Sequence, residues 1–213
     1  GTLDLTIWGM TRSIMNQLAT LGLQINLLQT NRVTLTAGVA GKMSTAFIGF
    51  ITAAEADFNA MPEPSFRITA HTLGAWAARP AEATSYQGSA SVADIMSNLA
   101  TKMGLRFENS GVDVTLKNPV FTGSYRDQAR AVVKQAGIEW NNGEGGLIAI
   151  WPRSGSRGGL IPVIAPPPKG SMIGFPKYNA FGVSVRNLYD PTIGFGQKVK
   201  VEIDAYPGQE LTG

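Results

Sequence analysis

Apolar and polar residues alternate over much of the first third of the chain. A period of two places successive side chains on opposite faces of a sheet, as expected for half-buried β-strands. One continuous apolar run, Phe47–Thr52, interrupts the alternation and contains Gly49. Strands are predicted at residues 3–8, 23–28, 32–36, 47–52 and 66–70.

One segment within this region has a helical spacing instead. In residues 12–20, Ile14 and Leu18, followed by Leu21, fall on one face of a helix. Glycines and prolines mark the turns between the strands. This part of the chain is therefore predicted to be an antiparallel sheet or barrel with one helical insertion. A connection of small and polar residues, 71–90, follows it.

The pattern becomes helical in residues 91–152. Ser91 and Ser124 each stand directly before an amphipathic stretch, where a helix N-cap residue is expected. The two stretches end at Gly104 and Gly137, as helices often do. Both stretches are therefore predicted to be helices. The side chains expected to face the core are Val92, Ile95, Met96, Leu99 and Met103 in the first helix, and Tyr125, Ala129, Val132 and Val133 in the second.

Short strand patterns surround these two helices. A strand is predicted at Val112–Leu116, and a hairpin at Ile138–Trp140 and Leu147–Trp151. The order helix, strand, helix, hairpin indicates a compact α+β module. A connector rich in Gly, Ser and Pro follows at 153–170. The last predicted strands lie around Val183, Val185 and Leu188, and around Val199, Val201 and Ile203.

The composition is poor in charge. Charged residues make up 15% of the 213 residues and hydrophobic residues 44%, whereas a typical soluble domain has about 25% charged residues. A large subunit interface would account for this, because charge is depleted at the centre of such interfaces. A β-rich fold with many Thr, Ser and Asn residues accounts for it equally well, so composition leaves both interpretations open.

The charge distribution and the absence of cysteine argue against several kinds of binding site and catalytic site. The net charge is +3, and the Lys and Arg residues are scattered rather than clustered, so the sequence lacks the usual pattern of a nucleic-acid-binding surface. The chain has no Cys, which excludes disulfides, thiolate metal sites and cysteine nucleophiles. No apolar stretch approaches the roughly 20 residues of a membrane-spanning helix.

Residues suited to catalysis are few. The one histidine, His71, ends a strand pattern and is interpreted as structural. Glu55 and Asp57 could act as the acid and base of a glycosidase, but acids two positions apart before a proline-rich turn are ordinary surface residues. No phosphate-binding, dinucleotide-binding or nucleophile-elbow motif is present. We predict no catalytic, cofactor-binding or metal-binding residue.

Specific turn and helix signatures occur in one order along residues 116–152. They are Asn118–Pro119, a helix start at Gly123–Ser124, a stop at Ala136–Ile138 and a hairpin ending at Ile150–Pro152. The helix carries a Gln near its middle, Gln128, and Trp140 follows the stop. In this order and spacing the segment resembles tail proteins of Mu-like and related contractile bacteriophages.

The resemblance extends over nearly the whole chain. Residues 37–70 are similar to the first β part of these proteins, with an F-x-G-x-I segment at Phe47–Ile51. Residues 161–201 are similar to their closing β segment, with a G-x-x-I-G-x-P step at 170–176 and an N-x-x-x-P pattern from Asn187 to Pro191. Each signature alone marks only a turn or a core position, so the order carries the resemblance.

The resemblance implies a structural baseplate hub rather than an enzyme. Its expected fold is α+β, mostly β, with two antiparallel, barrel-like tube domains and a small inserted α+β module. The expected parts are a tube-like domain at 1–88, the module at 89–153 and a β segment at 154–213 that completes or forms the second tube-like domain.

The resemblance also implies the partners of this hub. Members form homotrimers whose pseudo-six-fold ring joins a hexameric tail tube to a trimeric central spike. The implied partners are the tube protein, the spike protein and other baseplate proteins. DNA is expected to pass through the lumen without specific binding, in a virion tail assembled in the host cytoplasm. Because such hubs often run longer, terminal elements that contact the spike are expected to be missing or to be supplied by another protein.

Two apolar segments and one tryptophan are the candidate subunit interface. Trp76 lies in the small-residue connection, which favours an exposed contact. Burial in ordinary strands remains an alternative for both segments. The candidate residues are Phe47, Ile48, Phe50, Ile51, Trp76, Met172, Ile173 and Phe175.

Two other functions remain as alternatives. A module binding peptidoglycan or another carbohydrate would use the small α+β unit and exposed aromatic residues, and would be a monomer. A cell-wall hydrolase would depend on Glu55 and Asp57.

Overall fold

The structure is a computed structural model that describes residues 1–19, 31–59, 61–180 and 182–203. Its class is α+β with mostly β structure, as predicted. The predicted strand at 23–28 lies outside the described residues. The helices are α1 (Arg12–Leu18), α2 (Gly74–Ala78), α3 (Val92–Lys102) and α4 (Tyr125–Ala136).

The strands are short except in the N-terminal part. Most contain two to eight residues, whereas β3 contains 16. They are β1 (Thr2–Trp8), β2 (Arg32–Val39), β3 (Lys42–Asp57), β4 (Ser65–His71), β5 (Thr84–Ser85), β6 (Ser89–Ser91), β7 (Arg106–Asn109), β8 (Thr115–Lys117), β9 (Val120–Phe121), β10 (Ile138–Asn142), β11 (Leu147–Pro152), β12 (Val163–Ile164), β13 (Lys177–Asn179), β14 (Gly182–Ser184) and β15 (Lys200–Val201).

A four-stranded sheet in the order β1-β4-β3-β2 forms the N-terminal part. Strand β4 is central and pairs antiparallel with both β1 and β3. A bulge between Ile51 and Ala53 interrupts the register of β3 on β4, which bends the strand and increases its local twist. The predicted antiparallel sheet is therefore present, and its longest strand contains the candidate segment Phe47–Ile51.

Helix α1 forms where the spacing predicted it, and Met15 is its side chain that faces the core. Met15 is fully buried, among Phe66 and Ile68 of β4. Ile14 and Leu18, which were predicted to share one face of the helix, are 45% and 50% exposed. A helix of two turns buries only a narrow stripe, and the flexible side chain of Met15 fills that stripe.

Helices α3 and α4 have the predicted ends. Ser91 Oγ accepts the backbone N–H of Asp94 at 3.5 Å, and Ser124 Oγ accepts that of Asp127 at 3.2 Å. Gly137 ends α4 in the left-handed conformation, with φ of 66° and ψ of 33°, where glycine has no Cβ to clash. Every inward position predicted for the two helices is buried or partly buried: Val92, Ile95, Met96, Leu99, Met103, Tyr125, Ala129, Val132 and Val133.

The hairpin after α4 belongs to a three-stranded sheet in the order β10-β11-β7. Strands β10 and β11 pair antiparallel as predicted, joined by a turn at 143–146. Strand β7 was not predicted and pairs parallel to β11. Its parallel pairing buries Ile148 and Ile150 of β11 fully, against α3 and α4.

Residues 71–90 form more structure than the predicted connection. They contain α2 and strands β5 and β6, and these strands pair antiparallel with β9 and β8. The predicted strand at Val112–Leu116 begins only at Thr115. Val112 is instead held in a turn, since the side chain of Asn109 bonds both its N–H and its C=O, at 2.8 and 3.0 Å. Such local side-chain bonds compete with strand pairing.

The chain divides into two compact units. The first unit contains residues 1–36 and 45–155, with β1, β4, the larger parts of β2 and β3, and the α+β module. The second unit contains residues 37–44 and the chain from 156 onward. Its ladders have two strands each, β12-β15 parallel and β13-β14 antiparallel. The division into parts at 88 and 153 stays a prediction.

Candidate interaction surfaces

The candidate segment on β3 divides its side chains between two environments. Phe47 is 9% exposed, whereas Ile48, Phe50 and Ile51 are half-buried. The ring of Phe47 lies over Gly49: a Cβ built there would be 2.6 Å from the ring and 2.9 Å from the carbonyl oxygen of His71. Glycine is therefore required at this position, because the aromatic ring covers the bare backbone.

Three of the eight candidate residues meet in one cleft of the first unit. Ile48 and Phe50 of β3 line it together with Trp76 of α2. The cleft has a volume of about 600 Å³. We call it the glycine-turn cleft, because three glycines of the turn between β10 and β11 form part of its wall. The other lining residues are Arg32, Thr45, Thr72, Met103, Gly104, Leu105, Arg106, Gly143, Gly145 and Gly146.

Trp76 is half-buried, and its ring already has neighbours. The guanidinium of Arg79 lies 5.6 Å from its ring centroid, within the range of a cation–π contact. The ring of Tyr125 lies 6.2 Å away at an angle of 57°. The tryptophan therefore links α2 to α4 as well as lining the cleft.

The wall of three glycines exists because the turn needs left-handed backbone. Gly143, Gly145 and Gly146 have φ of 79°, 66° and 70°. Thr72 Oγ1 donates to Asn142 O at 2.8 Å and so fixes the strand end before the turn. The guanidinium Nη2 of Arg106 donates to Gly145 O at 3.2 Å.

The remaining candidate residues lie in the second unit. Met172 is 4% exposed and donates its backbone N–H to Ala165 O at 3.0 Å. Ile173 and Phe175 are 45% and 65% exposed. The segment thus has one buried anchor followed by two apolar side chains in contact with solvent.

The second unit as a whole exposes apolar residues. Of the 20 large hydrophobic side chains that are exposed among the described residues, 14 belong to it. Of the 28 hydrophobic residues buried in the same parts of the chain, it holds three, Ile164, Ala165 and Met172. Contiguous exposed apolar surface is characteristic of sites where proteins bind one another.

The second unit also contains a groove of about 560 Å³. Val39 and Leu188, which line it, are 68% and 61% exposed. Tyr189 lines it as well and accepts a hydrogen bond from Ser44 Oγ at 3.2 Å. This groove adds to the apolar surface of the unit.

The ionisable residues considered for catalysis have ordinary surroundings. Asp57 pairs with Arg67 at 3.8 Å and accepts the backbone N–H of Asn59 at 2.9 Å. Glu55 is exposed opposite Arg67 in the ladder. His71 Nδ1 lies 3.2 Å from Thr2 Oγ1. Within the described parts of the chain, no three His, Asp or Glu residues cluster as metal ligands would.

Sequence reasoning missed the two arginines of the cleft, and it predicted the glycine turn without predicting that the turn lines a cleft. Arg32 starts β2 and Arg106 starts β7, far apart in sequence. The only sequence signal was the density of glycine after Asn142, which indicated a turn but not what the turn faces. In the residues that the structure describes, no helix is long and apolar enough to cross a membrane.

Two solved structures of tail proteins are similar to this chain. One is the tail protein from Neisseria meningitidis MC58, at 10% identity and a TM-score of 0.45, covering 76% of this chain and 56% of that one. The other is the 43 kDa tail protein of prophage MuSo2 from Shewanella oneidensis. It is 10% identical, has a TM-score of 0.47, and the match covers 96% of this chain and 63% of that one. The chain thus spans about 60% of the length of each.

The sequence also matches one family model. No curated protein sequence matches the chain. The model described as Baseplate hub gp41 matches residues 10–208. Because this match covers nearly all of the 213 residues, the chain belongs to the Baseplate hub gp41 family and is a structural protein of a bacteriophage tail baseplate.

Proposed function

We propose that the chain is the hub subunit of a contractile tail and assembles as a homotrimer. In this proposal the trimer forms a pseudo-six-fold ring that joins the hexameric tail tube to the trimeric central spike. The partners are the tube protein, the spike protein and other baseplate proteins. DNA crosses the lumen without specific contacts, and the subunit catalyses no reaction.

The observation that carries this proposal is the apolar exposure of the second unit. A domain of its size normally buries most of its large hydrophobic side chains. Here Leu160, Phe175 and Tyr178 are 87%, 65% and 74% exposed. Covering such side chains in an assembly would contribute about 25 cal/mol per Å² of apolar surface.

The ladder of β12 and β15 supports the same conclusion. Parallel ladders occur almost only where both faces are covered, and a two-stranded ladder is marginally stable by itself. Yet Val163 in β12 is 50% exposed, and Val199 beside β15 is 40% exposed. Contact with a neighbouring subunit would cover these side chains.

The low charge of the chain agrees with the proposed ring. Only 15% of residues are charged, which suits interfaces between subunits. A strongly basic lumen would retain DNA through contacts with its phosphates. The Lys and Arg residues are scattered along the sequence rather than clustered, which agrees with a lumen of this kind.

The solution mass tests this proposal directly. Light scattering coupled to size exclusion should give three times the 22.6 kDa of the protomer, or a larger ring of trimers. A trimer would then be imaged with purified tube protein to locate the ring at the tube end. A monomer at every concentration tested, with or without tube protein, would contradict the homotrimeric hub.

A further inference from the structure

The glycine-turn cleft lies entirely within the first unit, since all its lining residues belong to that unit. Its volume of about 600 Å³ is within the range of about 300–1,000 Å³ for sites that bind small ligands or a few side chains. An inference about this cleft therefore does not depend on the trimer proposed above.

One side of the cleft is apolar. Ile48, Phe50 and Leu105 line it and are half-buried, and Met103, which is 3% exposed, lines it as well. A methionine adapts its shape to different partners. Together these side chains form a surface on which a large aliphatic or aromatic side chain from another molecule would lose its contact with water.

The charges of the cleft all have one sign. Arg32 and Arg106 line it, and no Asp or Glu does. Both arginines are exposed, and neither has an ion-pair partner within the parts of the chain that the structure describes. The bond to Gly145 O holds the guanidinium of Arg106 beside the glycine turn. Guanidinium ions bind carboxylates and phosphates through paired hydrogen bonds of matching geometry.

The glycine turn gives an incoming chain access to the backbone. A Cβ built on Gly145 would have no atom within 4 Å, and one built on Gly146 would have only Ile48 Cδ1, at 4.0 Å. Leu73 lies against Gly143, and Arg106 bonds Gly145 O. The Cα positions of Gly145 and Gly146 are otherwise open. Another main chain can approach them closely, as at other glycine-rich binding surfaces.

These features favour a peptide over a carbohydrate or a nucleic acid. The ring of Trp76 is already contacted by Arg79 and Tyr125, which restricts stacking on a sugar. The polar side chains of the lining are the two arginines and Thr45 and Thr72. Nucleic-acid sites use longer rows of basic residues along an exposed surface.

We propose that the glycine-turn cleft is the docking site for a short, extended, acidic segment of a partner protein. The segment would place one large apolar side chain on Ile48, Phe50 and Leu105. Carboxylates flanking that side chain would pair with Arg32 and Arg106.

Two synthetic hexapeptides test the proposal. The first is acetyl-Asp-Glu-Leu-Phe-Asp-Glu-amide, and its control replaces every acidic residue with Lys. Binding is measured by calorimetry and by backbone amide shifts in NMR spectra. We expect the acidic peptide alone to bind, with shifts concentrated at 48–50, 103–106 and 143–146. Its affinity should fall as salt is added, because the paired charges are screened.

Charge-reversal variants locate the binding. The double substitution Arg32→Glu and Arg106→Glu should weaken binding of the acidic peptide by about tenfold or more. Arg130→Glu is the matched control, since Arg130 is exposed on α4 and does not line the cleft. It should leave the affinity unchanged. Amide spectra of each variant without peptide verify that the fold is retained.

Four outcomes would overturn the proposal. They are equal binding of the two peptides, no binding of the acidic peptide below about 1 mM, an equal loss in the Arg130→Glu variant, and shifts away from the cleft. If chitin hexasaccharide binds at the cleft and the acidic peptide does not, the cleft is a carbohydrate-binding site. A solution mass that changes in the double variant without peptide would assign it to a second copy of this chain.

Discussion

The carboxylate of Asp190 accepts two hydrogen bonds from one residue. Thr192 donates its hydroxyl at 2.7 Å and its backbone N–H at 2.9 Å. These bonds, the hydroxyl bond first, lower the pKa of Asp190 below its ordinary value of 3.8, against a smaller opposing effect of desolvation. Since the folded pKa is the lower one, the stabilisation is present above the ordinary value and is lost as pH falls through the folded pKa.

We therefore expect Thr192→Val to raise the pKa of Asp190 toward 3.8. Valine keeps the side-chain shape but removes the hydroxyl donor. The measurement is an NMR titration that follows the carboxyl carbon of Asp190 in both proteins. An unchanged midpoint would show that the hydroxyl bond does not hold the carboxylate in solution.

Gly49 is the residue on which the packing of Phe47 depends. An alanine Cβ at this position would lie 2.6 Å from the Phe47 ring and 2.9 Å from the backbone oxygen of His71. We expect Gly49→Ala to lower the free energy of unfolding by roughly 1–3 kcal/mol, the usual range for overpacking. Chemical denaturation at one fixed protein concentration measures the change.

Gly74→Ala is the control for that substitution. Its Cβ would meet the nearest atom, His71 Cβ, at 3.5 Å, an ordinary contact. Gly74 also starts α2, where alanine is the better helix former. The control should therefore be neutral or slightly stabilising, and equal losses in the two variants would refute the packing argument.

At the scale of an element, the start of α4 is more strongly capped than that of α3. Ser124 Oγ accepts the N–H of Asp127 at 3.2 Å and donates to its carboxylate at 2.6 Å. Ser91 Oγ accepts the N–H of Asp94 at 3.5 Å. Ser124 is also more buried, at 6% exposure.

Ser124→Ala should therefore destabilise the protein by about 1 kcal/mol, the usual loss at a helix N-cap. Ser91→Ala should cost less, because its one bond is long. Free energies of unfolding for both variants, with hydrogen exchange of the first turn of each helix, provide the measurement. A larger loss for Ser91→Ala would contradict the order of the two caps.

At the scale of the whole molecule, the proposed assembly depends on the second unit. Phe175 in that unit and Trp8 in the first unit are 65% and 63% exposed. We expect Phe175→Ser to weaken the trimer by roughly tenfold or more, since aromatic side chains at interfaces often contribute this much. Trp8→Ser should leave the trimer intact. Dilution series followed by light scattering measure both, and equal effects would exclude a special role for the second unit.

The sequence by itself determined the local structure. The strand periods of β1, β2 and β4, both capping serines and Gly137 follow from rules that operate over a few residues. The inward positions of α3 and α4 follow from the helical period. The order of turn signatures was specific enough to indicate the baseplate hub family, which the family match confirms.

The tertiary structure decided what depends on residues distant in sequence. Helix α1 buries Met15 because the stripe that meets the sheet is narrow, and α1 itself has apolar residues on more than one side. Strand β7 exists because β11 offers it a parallel edge. The cleft combines β3, α2, β7 and the glycine turn, and no local pattern encodes a contact between such segments. The exposed apolar side chains of the second unit likewise depend on tertiary packing, because a side chain is buried only where another segment covers it.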